Sequence, residues 1–122
     1  MKLLTTEALQ RLQNAEKPFV LVNVLPADSF SETEIPGAVN APMDDSDFVE
    51  HVEHLAGGKS NPVITYCASK ECPKSTEAAR ILEQAGFTDV SDYKGGAKAW
   101  KYAVEPWRVQ SGSNSSTPVF QA

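Results

Sequence analysis

A chain of 122 residues, 41% hydrophobic and 22% charged, is one domain's worth of polypeptide and buries enough surface to hold a core without disulfides or metals. That balance excludes collagen-like, coiled-coil and wholly disordered chains, and no apolar run approaches the roughly 18 residues that would span a bilayer. Lys and Arg number 11 against 16 Asp and Glu, a formal charge of −5, so the basic footprint that duplex DNA or an anionic membrane surface requires is missing. Neither nucleic acid nor membrane is an expected partner.

The opening Met1 to Glu7 holds a lysine but no apolar stretch of signal-peptide length, so a cytoplasmic location is expected. There are two cysteines, Cys67 and Cys72. A pair that close in sequence shuts almost no loop and is a poor structural staple. In a reducing compartment they are thiols whose chemistry matters.

The elements alternate. Thr5 reads as a helix cap, with Leu4 positioned to staple onto Leu9 and an apolar face of Leu9 and Leu12 running to about Asn14. Phe19 to Val24 is a nearly continuous apolar run rich in β-branched residues, the pattern of a strand buried on both faces, and Pro26 ends it. Ile35 to Pro42 is a turn followed by a short extended piece. Asp44 to Asp47 offer charge and capping groups to a helix carrying Phe48, Val52 and Leu55, stopped by Gly57 and Gly58.

Pro62 to Tyr66 is a second buried-type strand. A helix follows from Ser75 to Ala85, with Ala78, Ile81, Leu82 and Ala85 on its apolar face and Gly86 just past its end. Val90 to Tyr93 is a third strand, and Gly95-Gly96 leads into a last short helix with Trp100. Strands alternating with helices indicate α/β layers around a mostly parallel sheet. Residues 1–110 read as one domain. The polar, Gly/Ser-rich stretch within 111–122 reads as a flexible tail.

Chemistry concentrates between Tyr66 and Thr76. Cys67 takes the first position of the loop joining a buried strand to a helix N-terminus. Sites in open α/β sheets lie outside the carboxyl ends of strands. A loop curling into a helix N-terminus aims amides and the positive dipole end inward, an anion cradle. A cysteine there is expected to have a depressed pKa and act as a nucleophile. Position alone favours the plainer reading, a small, inert, buried residue.

The flanks favour chemistry. Tyr66-Cys67, Ser75 to Leu82, Ala85 to Val90 and Tyr93 to Trp100 resemble the second half of a rhodanese domain. Val20 to Val24, Phe30 and Ile35 to Asn40 are similar to its first half. The resemblance runs from about residue 3 to 106, in the family's order. It implies a three-layer α/β fold, a central mostly parallel sheet of about five strands with helices on both faces. It also implies sulfur transfer through a persulfide on Cys67. The loop of Ala68, Ser69, Lys70, Glu71, Cys72, Pro73 and Lys74 then corresponds to the substrate-binding loop, whose amides hold the persulfide anion. No cofactor and no metal is implied.

Three departures stand out. The loop is longer than the family's common loop and has no arginine, leaving Lys70 and Lys74 as its only cations. Asn23 and Leu25 stand where the family usually has Asp and Arg. Glu34 stands where it often has His. These changes remove charges that commonly brace the site.

The expected activity moves sulfane sulfur from a small anion such as thiosulfate, or from a persulfide, to a thiol, cyanide or protein acceptor. A carrier or non-catalytic interaction domain is the alternative. A cysteine phosphatase or arsenate reductase fits less well, because those sites clamp a tetrahedral oxyanion with an arginine fork. Cys72 is either a packing residue beside Pro73 or a resolving thiol for the Cys67 persulfide. His51 and His54 lie among Glu50 and Glu53 and read as a solvated helix face rather than metal ligands.

Overall fold

Continuous apolar runs that cannot face water on either side need helices above and below them, and the structure supplies both layers. The computed structural model describes residues 1–15 and 18–104. The expected tail at 111–122, and the end of the expected domain from 105 to 110, lie outside the described residues.

The elements run β1 (Lys2–Leu3), α1 (Thr6–Asn14), β2 (Val20–Asn23), α2 (Ala27–Thr33), β3 (Val39–Asn40), α3 (Phe48–Ala56), β4 (Val63–Tyr66), α4 (Lys74–Gln84), β5 (Val90–Tyr93) and α5 (Gly96–Val104). The five strands form one sheet in the order β1-β5-β4-β2-β3. Every pairing is parallel. The central register sets Val22 beside Thr65 and Thr65 beside Asp92. All four residues of β4 are buried, as are all four of β5, which is what two covered faces require.

Side chains alternate across the sheet. Val22, Val63, Cys67 and Val90 pack with Phe48 and Val52 of α3 and with Ala78, Ala79 and Leu82 of α4. Leu21, Ile64, Tyr66 and Tyr93 pack on the other side with Leu9 of α1 and Ala97 and Trp100 of α5. Thr5 caps α1 through its hydroxyl, which accepts from the Ala8 amide at 3.1 Å, a contact worth about 1 kcal/mol. Leu4 packs in the same cluster as Leu9, as a staple demands.

The structure departs from the sequence pattern in several places. Asp47 stands at the cap position of α3, but no side chain caps that helix. The turn instead closes through the Asp45 carbonyl, which accepts from the Phe48 amide at 3.1 Å. Ile81 is partly exposed on α4, and Ala79 takes the inward position instead. Strand β1 and helix α2 carry no apolar periodicity. Their sequences are too short or too polar to announce them.

Candidate functional site

Cys67 directly follows β4, on the face that Val63 and Thr65 share with α4. Thr65 ties that helix to the strand: its hydroxyl donates to the Ser75 carbonyl at 2.9 Å. The first turn of α4 is thereby held against the end of β4. The Ser75 amide and hydroxyl then face the Cys67 sulfur, and both favour its anion. That hydroxyl is buried, and no carbonyl or carboxylate engages it.

On its other side the sulfur meets acceptors. The Cys67 thiol points at the Cys72 carbonyl at 3.4 Å and the Ser69 carbonyl at 3.8 Å. The Cys72 amide bonds back to the Ser69 carbonyl at 3.1 Å, closing a turn over the thiol. Cys67 is fully buried beneath it, at 0% exposure. Burial pushes its pKa above the ordinary thiol value, and the neighbouring Cys72 thiol adds to the rise. The Ser75 amide and hydroxyl oppose the shift without cancelling it. The expected depression is therefore corrected. The helix end is present, but a closed loop keeps the sulfur from water, and desolvation of an anion outweighs a helix dipole.

The loop's cations do not offset this. Lys74 Nζ lies 3.3 Å from Asp44 Oδ2, in an ion pair with the segment before α3. Lys70 is exposed on the rim beside Glu71. The Glu71 carboxyl is held below the usual carboxylate range, first by the Ser69 hydroxyl and its own backbone amide, with smaller help from Lys70 and Lys98. The rim thus carries an anion between two lysines. Ala68 and Ser69 are half-buried inside it, while Pro73 is exposed and sets the start of α4.

The foot of the loop is held from α5. The Ala97 amide donates to the Cys67 carbonyl and the Lys98 amide to the Ala68 carbonyl, each at 2.9 Å. Gly96 makes that approach possible. Its φ is +68°, and a Cβ there would sit 2.4 Å from the Cys67 carbonyl oxygen. The Gly95-Gly96 pair reads from sequence as a strand-to-helix turn; its close contact with the cysteine was not legible.

Two buried networks flank the site. Asn23, in place of the family's usual Asp, donates to the Thr33 hydroxyl at 2.9 Å and accepts from the Leu25 amide at 3.0 Å. The Tyr66 hydroxyl donates to the Thr33 carbonyl at 2.9 Å and accepts from the Ile35 amide at 3.1 Å. A neutral brace therefore stands where charges were expected to be missed. On the other side, Asp92 of β5 accepts from the Thr76 hydroxyl, with Lys94 Nζ 3.5 Å from that hydroxyl. Asp92 is fully buried, and its second oxygen has no partner. Sequence reasoning does not single out Ser75, Thr76 or Asp92, which the fold places beside the loop; a Ser-Thr pair opening a helix and a lone Asp in a short strand are the available signals.

His54 lines a shallow surface hollow with Glu50, Glu53, Gly57 and Gly58, on α3. Neither cysteine lines it. Among the described residues, no group of three or more His, Cys, Asp and Glu side chains is placed to hold a metal ion. No described helix is long and apolar enough to cross a membrane.

A parallel five-stranded sheet with a cysteine loop between its central strand and a helix defines a class of α/β domain, and comparison with known proteins assigns it. The rhodanese-like domain family matches residues 5–103, and the chain belongs to that family. Its fold resembles the rhodanese-like domain of the Alr3790 protein from Anabaena, with a TM-score of 0.71 and 26% identity over 100% of this chain and 94% of that one. A thiosulfate sulfurtransferase from Pseudomonas aeruginosa superposes with a TM-score of 0.75 and 26% identity, over 85% of this chain and 19% of that one. Among curated relatives, an HTH-type transcriptional regulator of Mycobacterium tuberculosis is 29% identical over 82% of this chain. An adenylyltransferase and sulfurtransferase of Meyerozyma guilliermondii is 29% identical over 70%. The aligned part spans 41% of the first relative's length and 21% of the second's.

Proposed function

We propose that the chain is a sulfurtransferase in which Cys67 carries the transferred sulfur. One observation carries this reading: the sulfur lies where a buried central strand ends, facing the Ser75 amide and hydroxyl at the start of α4. The Cys67 thiolate attacks the outer sulfur of a sulfane donor such as thiosulfate. The donor's S–S bond breaks, and sulfite leaves with the bonding pair. The terminal sulfur of the resulting persulfide bears the negative charge, which the Ser75 amide and hydroxyl and the α4 dipole stabilise. A thiol, cyanide or protein acceptor then attacks that outer sulfur and restores the Cys67 thiolate. The family and its sulfurtransferase relatives support this reading.

Full burial of Cys67 favours a second reading, a carrier or docking domain whose loop opens only against a partner. Intact mass after incubation with thiosulfate separates the two. The wild type gains one sulfur atom, and Cys67→Ser gains none, since a hydroxyl does not supply the required thiolate. A sulfur gained by Cys67→Ser would place the chemistry elsewhere. A wild type whose mass stays unchanged, with neither sulfur gained nor two hydrogens lost, would leave the docking reading.

A further inference from the structure

We propose that Cys72 is a second catalytic thiol, which attacks the inner sulfur of a Cys67 persulfide and closes a Cys67–Cys72 disulfide. The inference rests on the persulfide reading above and deepens it. Three observations carry it. Both cysteines are free thiols in one apolar cluster, Cys67 within it and Cys72 packed against it. The Cys67 sulfur sits 3.4 Å from the Cys72 carbonyl. The Cys72 side chain packs against the cluster that holds that sulfur, near enough to raise its pKa. The atom that Cys72 meets is therefore the one that becomes the inner sulfur of the persulfide.

Access differs between the two residues. Cys67 is closed off from solvent, whereas Cys72 is half-exposed. An external thiol has no path to the inner sulfur while the loop is shut. Cys72 belongs to that loop and packs against the cluster that holds Cys67. A thiol tethered in the same loop acts at an effective concentration far above that of free cytosolic thiols.

The step balances without an added oxidant. The Cys72 sulfur forms a bond to the Cys67 sulfur, and the bond to the terminal sulfur breaks. The terminal sulfur takes the electron pair and leaves as hydrosulfide, protonated by the proton that Cys72 gives up. Two thiol sulfurs are oxidised to a disulfide, and one sulfane sulfur is reduced to sulfide. Hydrosulfide is a weaker base than an alkyl thiolate, so it is the better leaving group of the two available. An external dithiol reductant returns the loop to its starting state.

The turn over the thiol fits this role. The Cys72 amide bonds to the Ser69 carbonyl, so the second cysteine lies above the first while the arch is closed. Pro73 then starts α4 at once, which limits how far Cys72 swings away.

The test follows wild type, Cys72→Ser and Cys67→Ser by intact mass and sulfide release after loading with thiosulfate and removal of the excess. Free thiols are blocked before each measurement. Wild type is expected to lose its added sulfur, release one sulfide per chain, and end with no blocking group attached, two hydrogens lighter than the unblocked reduced protein. Cys72→Ser is expected to keep its persulfide at least about tenfold longer. Equal lifetimes in the two proteins overturn the proposal, as does sulfur found on Cys72 beside a reduced Cys67, which would make Cys72 a relay. Cys72→Ser also stands as the independent check on loading. If it takes up no sulfur while folded, the persulfide reading itself has failed, and this step falls with it. Treatment with hydrogen peroxide adds an arm free of loading, since two thiols and one peroxide give a disulfide and two waters. Wild type is expected to form the internal disulfide there. A chain that instead carries added oxygen on Cys67 shows that the sulfurs do not meet, and overturns the proposal.

Discussion

Two strand-to-helix connections meet at Cys67, and they use their helix ends in opposite ways. The β5–α5 connection is short. The first amides of α5 go to the carbonyls of Cys67 and Ala68, which fixes the foot of the loop. The β4–α4 connection is long. The Ser75 amide at the start of α4 faces a sulfur, and Ser69 to Pro73 arch over it. Above the fixed foot, one backbone bond, from the Cys72 amide to the Ser69 carbonyl, closes the arch. One helix end is thus engaged in structure, and the other faces a buried sulfur. On the sulfur-transfer reading proposed above, a rigid base would place the thiol and a lightly held arch would admit the donor.

The largest effect is expected where the rigid half is broken. Gly96→Ala puts a methyl group against the Cys67 carbonyl and places alanine at φ +68°. Backbone is not a flexible neighbour, so α5 and the loop foot must separate. A loss of roughly 1–3 kcal/mol follows from the conformation alone, which in a domain of this size lowers Tm on the order of 10 °C. Sulfur loading by thiosulfate should fall with it, beyond what the stability loss explains at temperatures where the variant is folded. Calorimetry and intact mass check both. An unchanged Tm with normal loading would show that the clasp between α5 and the loop is dispensable.

That clasp was not legible in the sequence, although most of its surroundings were. Strands β2 and β4 announce themselves because burial on both faces demands nearly unbroken apolar runs, while β5, with Ser91 and Asp92 inside it, is marked mainly by the turns that flank it. Helices α1, α3 and α4 announce themselves through one apolar face each. Strand β1 is two residues long. Helix α2 buries none of its side chains, so neither leaves a periodic trace. The place of Cys67 between a buried strand and a helix was readable. The direction of its pKa shift was not, because a helix N-terminus is visible in sequence and a closed arch of carbonyls is not. Asn23 shows the same limit from the other side. Loss of a charge is plain in the sequence, while the Thr33 and Tyr66 hydrogen bonds that serve in its place depend on the fold.

An intermediate effect sharpens the arch. Burial raises the Cys67 pKa, so the proton persists to higher pH and the reactive thiolate appears later than in a free thiol. Alkylation of Cys67 by iodoacetamide should be at least about tenfold slower near pH 7 than that of a small thiol, whose pKa is about 8.5. The rate should climb only above that value. Half-exposed Cys72 should react first, as peptide mapping would show. The same shift has a stability sign. Its contribution is fully present below the unfolded thiol's pKa and is lost as pH rises through that value toward the folded one. A Cys67 that alkylates rapidly in mildly acidic buffer would mean that the arch stands open in solution.

The smallest effect concerns the cation at the arch's end. Sequence alone makes Lys74 a natural partner for a donor anion, and an arginine there a better one. The structure instead pairs Lys74 with Asp44 at 3.3 Å, with the Asp44 side chain 68% exposed. An exposed pair of this kind is worth no more than about 1 kcal/mol. Lys74→Arg should keep the Asp44 partner and change the apparent KM for thiosulfate by less than about twofold, since the charge stays where it was. Asp44→Asn should do more, by releasing the lysine toward the loop and removing a negative charge nearby. Its KM should fall, and the fall should shrink as salt is added, because the attraction is screened. Steady-state kinetics at two ionic strengths measure both variants. A several-fold drop for Lys74→Arg alone would mean that this side chain already leaves Asp44 to meet the donor, and that the arch carries its own cation.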